Sequence, residues 1–247
     1  MDSALSSIDF FRQMHAHYEQ LIVRFKGRTM LLDAVLQLAW RCFDTNVTTQ
    51  CQGLPELDCH KGCATCCTLR VTATAPEVFM LARFIQAVAP GLAQHGINLR
   101  DQVAKANGAT CGHGEHERVA LRQRCPFIAQ GTCVIYQVRP LACRGLASYD
   151  RKACAQAASG KIDQIPYSEP HMRVRSLVQN ALQSAMRDGG LPWANYELNQ
   201  ALLMALDDDT LEARWLAGED VLHLAQVNEV DEAEMAATFD ELKRVLS

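Results

Sequence analysis

The chain has 247 residues, 49% of them hydrophobic, so it has the apolar material for one large packed domain or two small ones, and disorder throughout is excluded. A formal net charge of −4 argues against a dominant nucleic-acid role. The charge is uneven: residues 201–247 hold twelve acidic and three basic side chains, a net of −9, against +5 over the first 200 residues.

Residues 4–42 read as two amphipathic helices. Leu5, Ile8, Phe11, His15, Tyr18, Ile22 and Phe25 recur at helical spacing, and Thr29 is placed to cap a second helix carrying Met30, Leu31, Ala34, Val35 and Leu38. Residues 44–58 are polar and contain Gly53 and Pro55, which predicts a loop. Thr74-Ala75-Pro76-Glu77 has the form of a capping box with proline in the first turn, opening a helix through Phe79, Leu81, Phe84 and Ile85 that Pro90-Gly91 ends. Residues 107–114 are Gly-rich and predict another loop. Pro140 opens a short helix carrying Cys143, and Asp150 caps one carrying Cys154.

Ser168-Glu169-Pro170 starts a long helix that Gly189-Gly190 stops. Trp193 to Leu206 is amphipathic, with Tyr196, Leu198, Ala201, Leu202 and Ala205 on its apolar side. Asp209 caps a shorter helix ending at Gly218, and residues 231–246 form the last one. Period-2 runs are nearly absent. Val71–Thr74 is a candidate brief strand, and no extended sheet is expected. The fold class is mainly α: a helical domain built around a cysteine-rich, metal-stapled core. Residues 1–50 and 159–247 flank a cysteine-cluster region, 51–158, and pack with it as one unit.

No stretch approaches ~18 uninterrupted apolar residues, so no membrane span is expected. Residues 1–7 have neither a basic nor an apolar leader stretch, which predicts a cytoplasmic protein. There the eleven cysteines, an odd number, are not expected to form disulfides. Metal binding is the better account.

Cys59, Cys63, Cys66 and Cys67 fall within nine residues, and Cys125, Cys133, Cys143 and Cys154 follow. Zinc and iron–sulfur sites need thiolates converging from tightly turning backbone, and Gly62 before Cys63 suits such a turn. Neighbouring side chains leave the backbone in different directions, so adjacent Cys66 and Cys67 suit two sites better than one. Eight thiols divide into two four-thiolate centres, with the partition left open. The Cys125-Pro126 step and the basic surroundings lean towards [4Fe–4S] over zinc. Lys61, Arg70, Arg122, Arg124, Arg139, Arg144 and Arg151 lie close to the cysteines. Arg139 and Arg144, which flank Cys143, are the favoured compensators of thiolate charge.

Cys59-His-Lys-Gly-Cys63-Ala-Thr-Cys66-Cys67, followed by Cys125-Pro-Phe-Ile, Gly131-Thr-Cys133-Val-Ile-Tyr136 and Arg139-Pro-Leu-Ala-Cys143-Arg144, resembles the YkgJ-like cysteine cluster family, described as zinc- or iron-chelating domains with a CxxCxxCC signature. The first gap here is three residues rather than two. Ser148 and Cys154 look like one subgroup's extension of the motif. The resemblance covers residues 59–154. One branch includes an iron–sulfur flagellin lysine methylase thought to use S-adenosylmethionine. The resemblance therefore implies an alternative to a structural, redox or metal-handling role: an S-adenosylmethionine-dependent protein lysine methyltransferase. The acidic C-terminal helices are a candidate surface for a protein partner, although a solvated face is the simpler reading.

Other candidates read more simply. Cys42 is a buried small hydrophobe, and Cys51 and Cys111 lie in loops. The Cys111-Gly-His113-Gly-Glu-His116 run is a polar loop, and His60 is passed over as a ligand while eight thiolates are at hand. Tyr136 and Trp193 are expected in the core, and His15 and His17 as ordinary helix residues. Phosphate-binding glycine loops and a serine nucleophile elbow are absent.

Overall fold

A computed structural model of the chain describes residues 6–60, 62–227, 229 and 231–244, with backbone alone at 115 and 116. Leu5, Lys61 and the His116 imidazole lie outside the described residues. Helix α1 (Ser7–Phe25) starts where Ser6 Oγ accepts the Asp9 amide at 3.1 Å, and it buries Phe11, Met14, His15, Tyr18 and Ile22. Helix α2 (Met30–Gln50) buries a stripe from Leu31 to Val47.

The polar stretch expected to be a loop from residue 44 is therefore helical as far as Gln50. Phe43 and Val47 still face the core, and the Thr48 and Thr49 hydroxyls donate to the carbonyls of Asp44 and Thr45 one turn back. Thr29 stands at the N-cap of α2 but makes no side-chain cap; its carbonyl instead accepts from Arg83.

Strand β1 (Thr72–Ala73) leads into α3 (Ala75–Ala93). Pro90 and Gly91, expected to end α3, sit inside it. Both are exposed, so the missing amide falls on the solvent side and costs no buried bond. Helix α4 (Leu99–Thr110) takes half of the predicted 107–114 loop because Val103, Ala106 and Thr110 keep one face buried. Helix α5 (Glu115–Leu121) follows, then strands β2 (Ile128–Ala129) and β3 (Thr132–Cys133), α6 (Leu141–Gly145) and α7 (Arg151–Ala158).

The long helix α8 (Glu169–Asp188) has the bounds its sequence suggested. The next segment does not. Residues 193–195 belong to no helix, strand β4 (Tyr196–Glu197) pairs antiparallel with β1, and α9 (Leu198–Asp207) starts only where Glu197 accepts the Gln200 amide at 2.8 Å. Tyr196 is buried in this two-stranded sheet rather than on a helix face. Helix α10 (Leu211–Leu216) is introduced by Asp208, not Asp209: the Asp208 carboxylate takes both the amide and the hydroxyl of Thr210. Helix α11 (Glu232–Arg244) closes the described chain.

The protein is mainly α. Helix α8 lies at the centre, packed by α1, α2, α6 and α11, while α3 and α4 pack on α9. The acidic C-terminal segment turns several charges inward onto basic residues of the first 200. Arg70 pairs with Glu229, Arg83 with Glu212, Arg100 with Asp207 and Arg187 with Asp240. Among the described residues, no helix is long and apolar enough to cross a membrane.

Candidate metal centre

The first cysteine block is a run of tight turns. The Cys63 amide donates to His60 O, Cys67 to Ala64 O and Leu69 to Cys66 O, each at 3.0–3.1 Å. Gly62 sits at φ +92°, a left-handed conformation that costs glycine little. The second block docks directly on the first through a 2.7 Å bond from the Cys125 amide to Cys67 O. From there β2 and β3 form a hairpin that pairs Ile128 with Cys133. The amides of Phe127 and Ile135, each two residues past a cysteine, donate to the Cys125 and Cys133 sulfurs.

Cys143 is carried by α6, and one carboxylate fixes that helix to α3. Buried Glu77 accepts the Thr74 amide and hydroxyl on one oxygen and the Leu141 amide, at 2.7 Å, on the other. The far end of α6 lies against α8: a Cβ added at Gly145 would stand 2.8 Å from the Arg175 side chain. Cys59 is held from a third direction, by the Ser148 amide donating to its sulfur at 3.3 Å. The Asp58 amide donates to Ser148 O, and its carboxylate accepts the Arg151 amide at the start of α7. Asp150 caps α7 as expected, which brings in Cys154.

These turns gather the predicted residues. Cys59, Cys63, Cys66, Cys67, Cys125, Cys133 and Cys143 all line one cavity of about 1020 Å³. Cys154 is outside its wall but close enough to raise the Cys59 thiol electrostatically. The mutual effects fall into two neighbourhoods. Cys59 feels Cys63, Cys66 and Cys154, whereas Cys143 feels Cys125, Cys66 and Cys133. Cys66 belongs to both and hydrogen-bonds to Cys67. Among the described residues, no three His, Cys, Asp or Glu side chains already converge on one point as metal ligands do.

Burial and crowding disfavour the thiolates. Burial pushes Cys143 well up and Cys125 up to about 11; the bond to Cys67, then burial, pushes Cys66 up strongly. The opposing charge comes from Arg139, which favours the thiolate forms of Cys66, Cys133 and Cys143. Its guanidinium lies 4.2 Å from the Tyr136 ring centroid, and its buried Nε has no hydrogen-bond partner. Arg144 faces another way. It stacks on Trp40, pairs with Asp44 at 3.5 Å and donates to the carbonyls of Arg139 and Gln137, so it braces the turn that presents Arg139.

Two residues of the site escaped the sequence reading. Arg175 lies beside Cys143 and Glu77 with a buried, unpartnered Nε. His171 lines the cavity, with Nδ1 2.8 Å from Ser168 Oγ and 3.9 Å from Cys51 Sγ. Burial, then Arg139, pushes its pKa down. Both come from the first turns of α8, far in sequence from any cysteine motif, so nothing local marks them.

The remaining candidates are dispersed. Tyr136, expected in the core, is 51% exposed because its ring covers Arg139 at the cavity wall. Trp193 does pack inward, against Phe239. Cys42 is half-buried against the core, Cys51 ends α2, and Cys111 is exposed near Gln200. His113 pairs with Glu117 and His60 is exposed, though it too lines the cavity. His15 is buried and His17 exposed.

Thiols are soft donors that suit zinc and iron, and a guanidinium with an unpartnered Nε beside them suits the negative charge a metal–thiolate set carries. A family model described as "CxxCxxCC: Putative zinc- or iron-chelating domain" matches residues 58–160. That stretch is similar to the CxxCxxCC domain. Comparisons with the curated proteins and with the solved structures find no match. The matched stretch takes in all eight cysteines from Cys59 to Cys154, together with Arg139, Arg144 and Ser148, and stops just beyond α7. Glu77 lies within it, whereas His171 lines the cavity from outside it and Arg175 lies beside Cys143 from outside it.

Proposed function

We propose that this protein holds iron as iron–sulfur clusters, [4Fe–4S] in type, in two thiolate centres that meet at Cys66 and Cys67. Cys59, Cys63 and Cys154 would serve one centre and Cys125, Cys133 and Cys143 the other, with Cys66 and Cys67 as the fourth ligands. The observation that carries this reading is that seven cysteines line one cavity in two neighbourhoods that share Cys66, with no three ligands among the described residues converging on one point. A lone zinc ion draws four sulfurs to ~2.3 Å from one point. A polynuclear core brings its own sulfides and spans sulfurs that stand further apart.

When bound, the cluster would supply one-electron redox capacity or a structural clamp. This chain's residues would do the rest. Arg139 offsets the charge, with Arg144 holding it in place, while the amides of Ser148, Phe127 and Ile135 donate to sulfur. Metal also reverses the crowding penalty, because a cation favours the thiolates that burial opposes.

The test is anaerobic purification followed by metal and sulfide analysis and a visible spectrum. Brown protein with iron and acid-labile sulfide in equal amounts is expected. Colourless protein carrying stoichiometric zinc would overturn the iron–sulfur part and leave the thiolate centres. Folded protein without metal would remove both.

A further inference from the structure

The cavity continues past the thiols. Between α3, α4 and the start of α9 its walls are mostly apolar, formed by Phe84, Val88, Ala106 and Leu198, with Thr110 and Asn199 as the neutral polar members. Ligand sites for small organic molecules run to roughly 300–1,000 Å³, so a cavity of about 1020 Å³ has room for such a molecule as well as a metal centre. The same walls include Arg118 and Glu197, joined at 2.9 Å, with side chains only 7% and 9% exposed.

Each partner of that pair is fixed by a second bond: Arg118 Nε donates to His113 O, and Glu197 accepts the Gln200 amide. Desolvating an ion pair costs more than its attraction commonly returns, and a hydrophobic pair would fill a purely structural wall at least as well. The charge balance of the lining is also lopsided. Among the described residues, five arginines line the cavity against one carboxylate, Glu197, and two of them, Arg70 and Arg144, are paired with Glu229 and Asp44 outside the lining.

We infer that this apolar arm binds a small organic molecule with an apolar body and an anionic head, held beside the thiols. The apolar walls take the body, and the arginine-rich lining, with Arg118 preset by Glu197, takes the head. The inference goes beyond the metal reading and stands without it.

Anilinonaphthalene sulfonate is the probe, with uncharged phenylnaphthylamine as its control, each titrated by fluorescence into the full chain as purified anaerobically. Saturable one-site binding is expected, with the sulfonate dye at least about tenfold tighter. Val88→Trp and Asn199→Trp fill the arm from α3 and α9. Each is expected to weaken binding about tenfold or more, with circular dichroism and metal content unchanged. Equal affinity for the two dyes, binding that never saturates, or undiminished binding in both filled variants would overturn the inference. The dye comparison uses unaltered protein, so it decides even if a variant misfolds. Dye binding and its steric block in metal-free protein would sink the metal reading alone; stoichiometric metal without saturable dye binding would sink this one alone.

Discussion

The helical frame and the cysteine region are held together by different physics. In the frame, Phe11, Leu32, Leu36 and Leu182 are fully buried, and long helices give each other continuous apolar faces. In the cysteine region the elements are short: two-residue strands β2 and β3, and a five-residue α6. Hairpins and helices of that size are marginal alone. Their order rests on turns around the thiols and on a few anchors to the frame, chiefly Glu77 and the contact of Gly145 with Arg175. One half is stable because of what it buries; in the other, the proposed metal would supply what burial does not.

The sharpest way to break that contrast is to remove one ligand. Cys66→Ser takes out the thiol common to both neighbourhoods. Metal in small thiolate sites contributes on the order of 10 kcal/mol, comparable to the whole stability of a domain. Hydrogen exchange is expected to show residues 58–71 and 122–160 losing protection while α1, α2, α3 and α8 keep theirs. Uniform loss across the chain would mean that the two regions are one cooperative unit.

Leu182→Ala is the converse experiment. Leu182 is fully buried on α8, and truncating such a leucine costs about 2–5 kcal/mol. The melting temperature should fall with metal content unchanged. A variant that sheds its metal at temperatures where the frame is still folded would contradict the division.

The two regions also differed in how far sequence could reach them. Where an apolar stripe and a cap coincide, as from Ser168 to Gly189, the helix was readable. Errors came where long-range partners outvoted local signals. Tyr196 has helical periodicity with Leu198 and Ala201, yet a strand partner at Ala73 claims it. Thr48 and Thr49 read as loop residues, yet they bond back into α2. In the site, the cysteines declared themselves by spacing, and Arg139 by its place beside Cys143. Arg175 and His171 did not, because only the packing of α6 and α2 on α8 brings Arg175 beside Cys143 and His171 to the cavity.

Glu77 shows the same limit within one residue. Its capping box with Thr74 was legible, but its bond to Leu141 was not. Because that carboxylate joins α3 to the helix bearing Cys143, Glu77→Gln should disturb both regions at once. Hydrogen bonds to charged groups contribute ~1.5–3 kcal/mol, so a loss of about that size is expected, together with faster metal release to a chelator. A lower melting temperature with unaltered release kinetics would assign Glu77 to the frame alone.

The smallest effect belongs to the frame and is set by pH. His15 is buried on α1 with Nε2 3.5 Å from Asp188 and an unpartnered Nδ1. Burial foremost, helped by Lys243 and Arg187, lowers its pKa despite Asp188. The folded protein therefore binds the proton less readily than the unfolded chain, whose imidazole titrates near ~6.5. Stability is complete above that value and declines as the pH falls below it towards the folded pKa. Asp188 acts in a separate, more acidic window: burial pushes its carboxyl up, but Lys243 and Arg187 outweigh that and leave it below the usual range. Urea midpoints measured downward from neutral pH should show the His15 step, and His15→Gln should flatten it. Because His15 and Asp188 sit where α11 meets α1 and α8, the step should appear in the exchange of α11 amides before those around the cysteines. The reverse order would mean that acid acts first at the thiols, and that the cysteine region, not the C-terminal helix, is the weaker point of the fold.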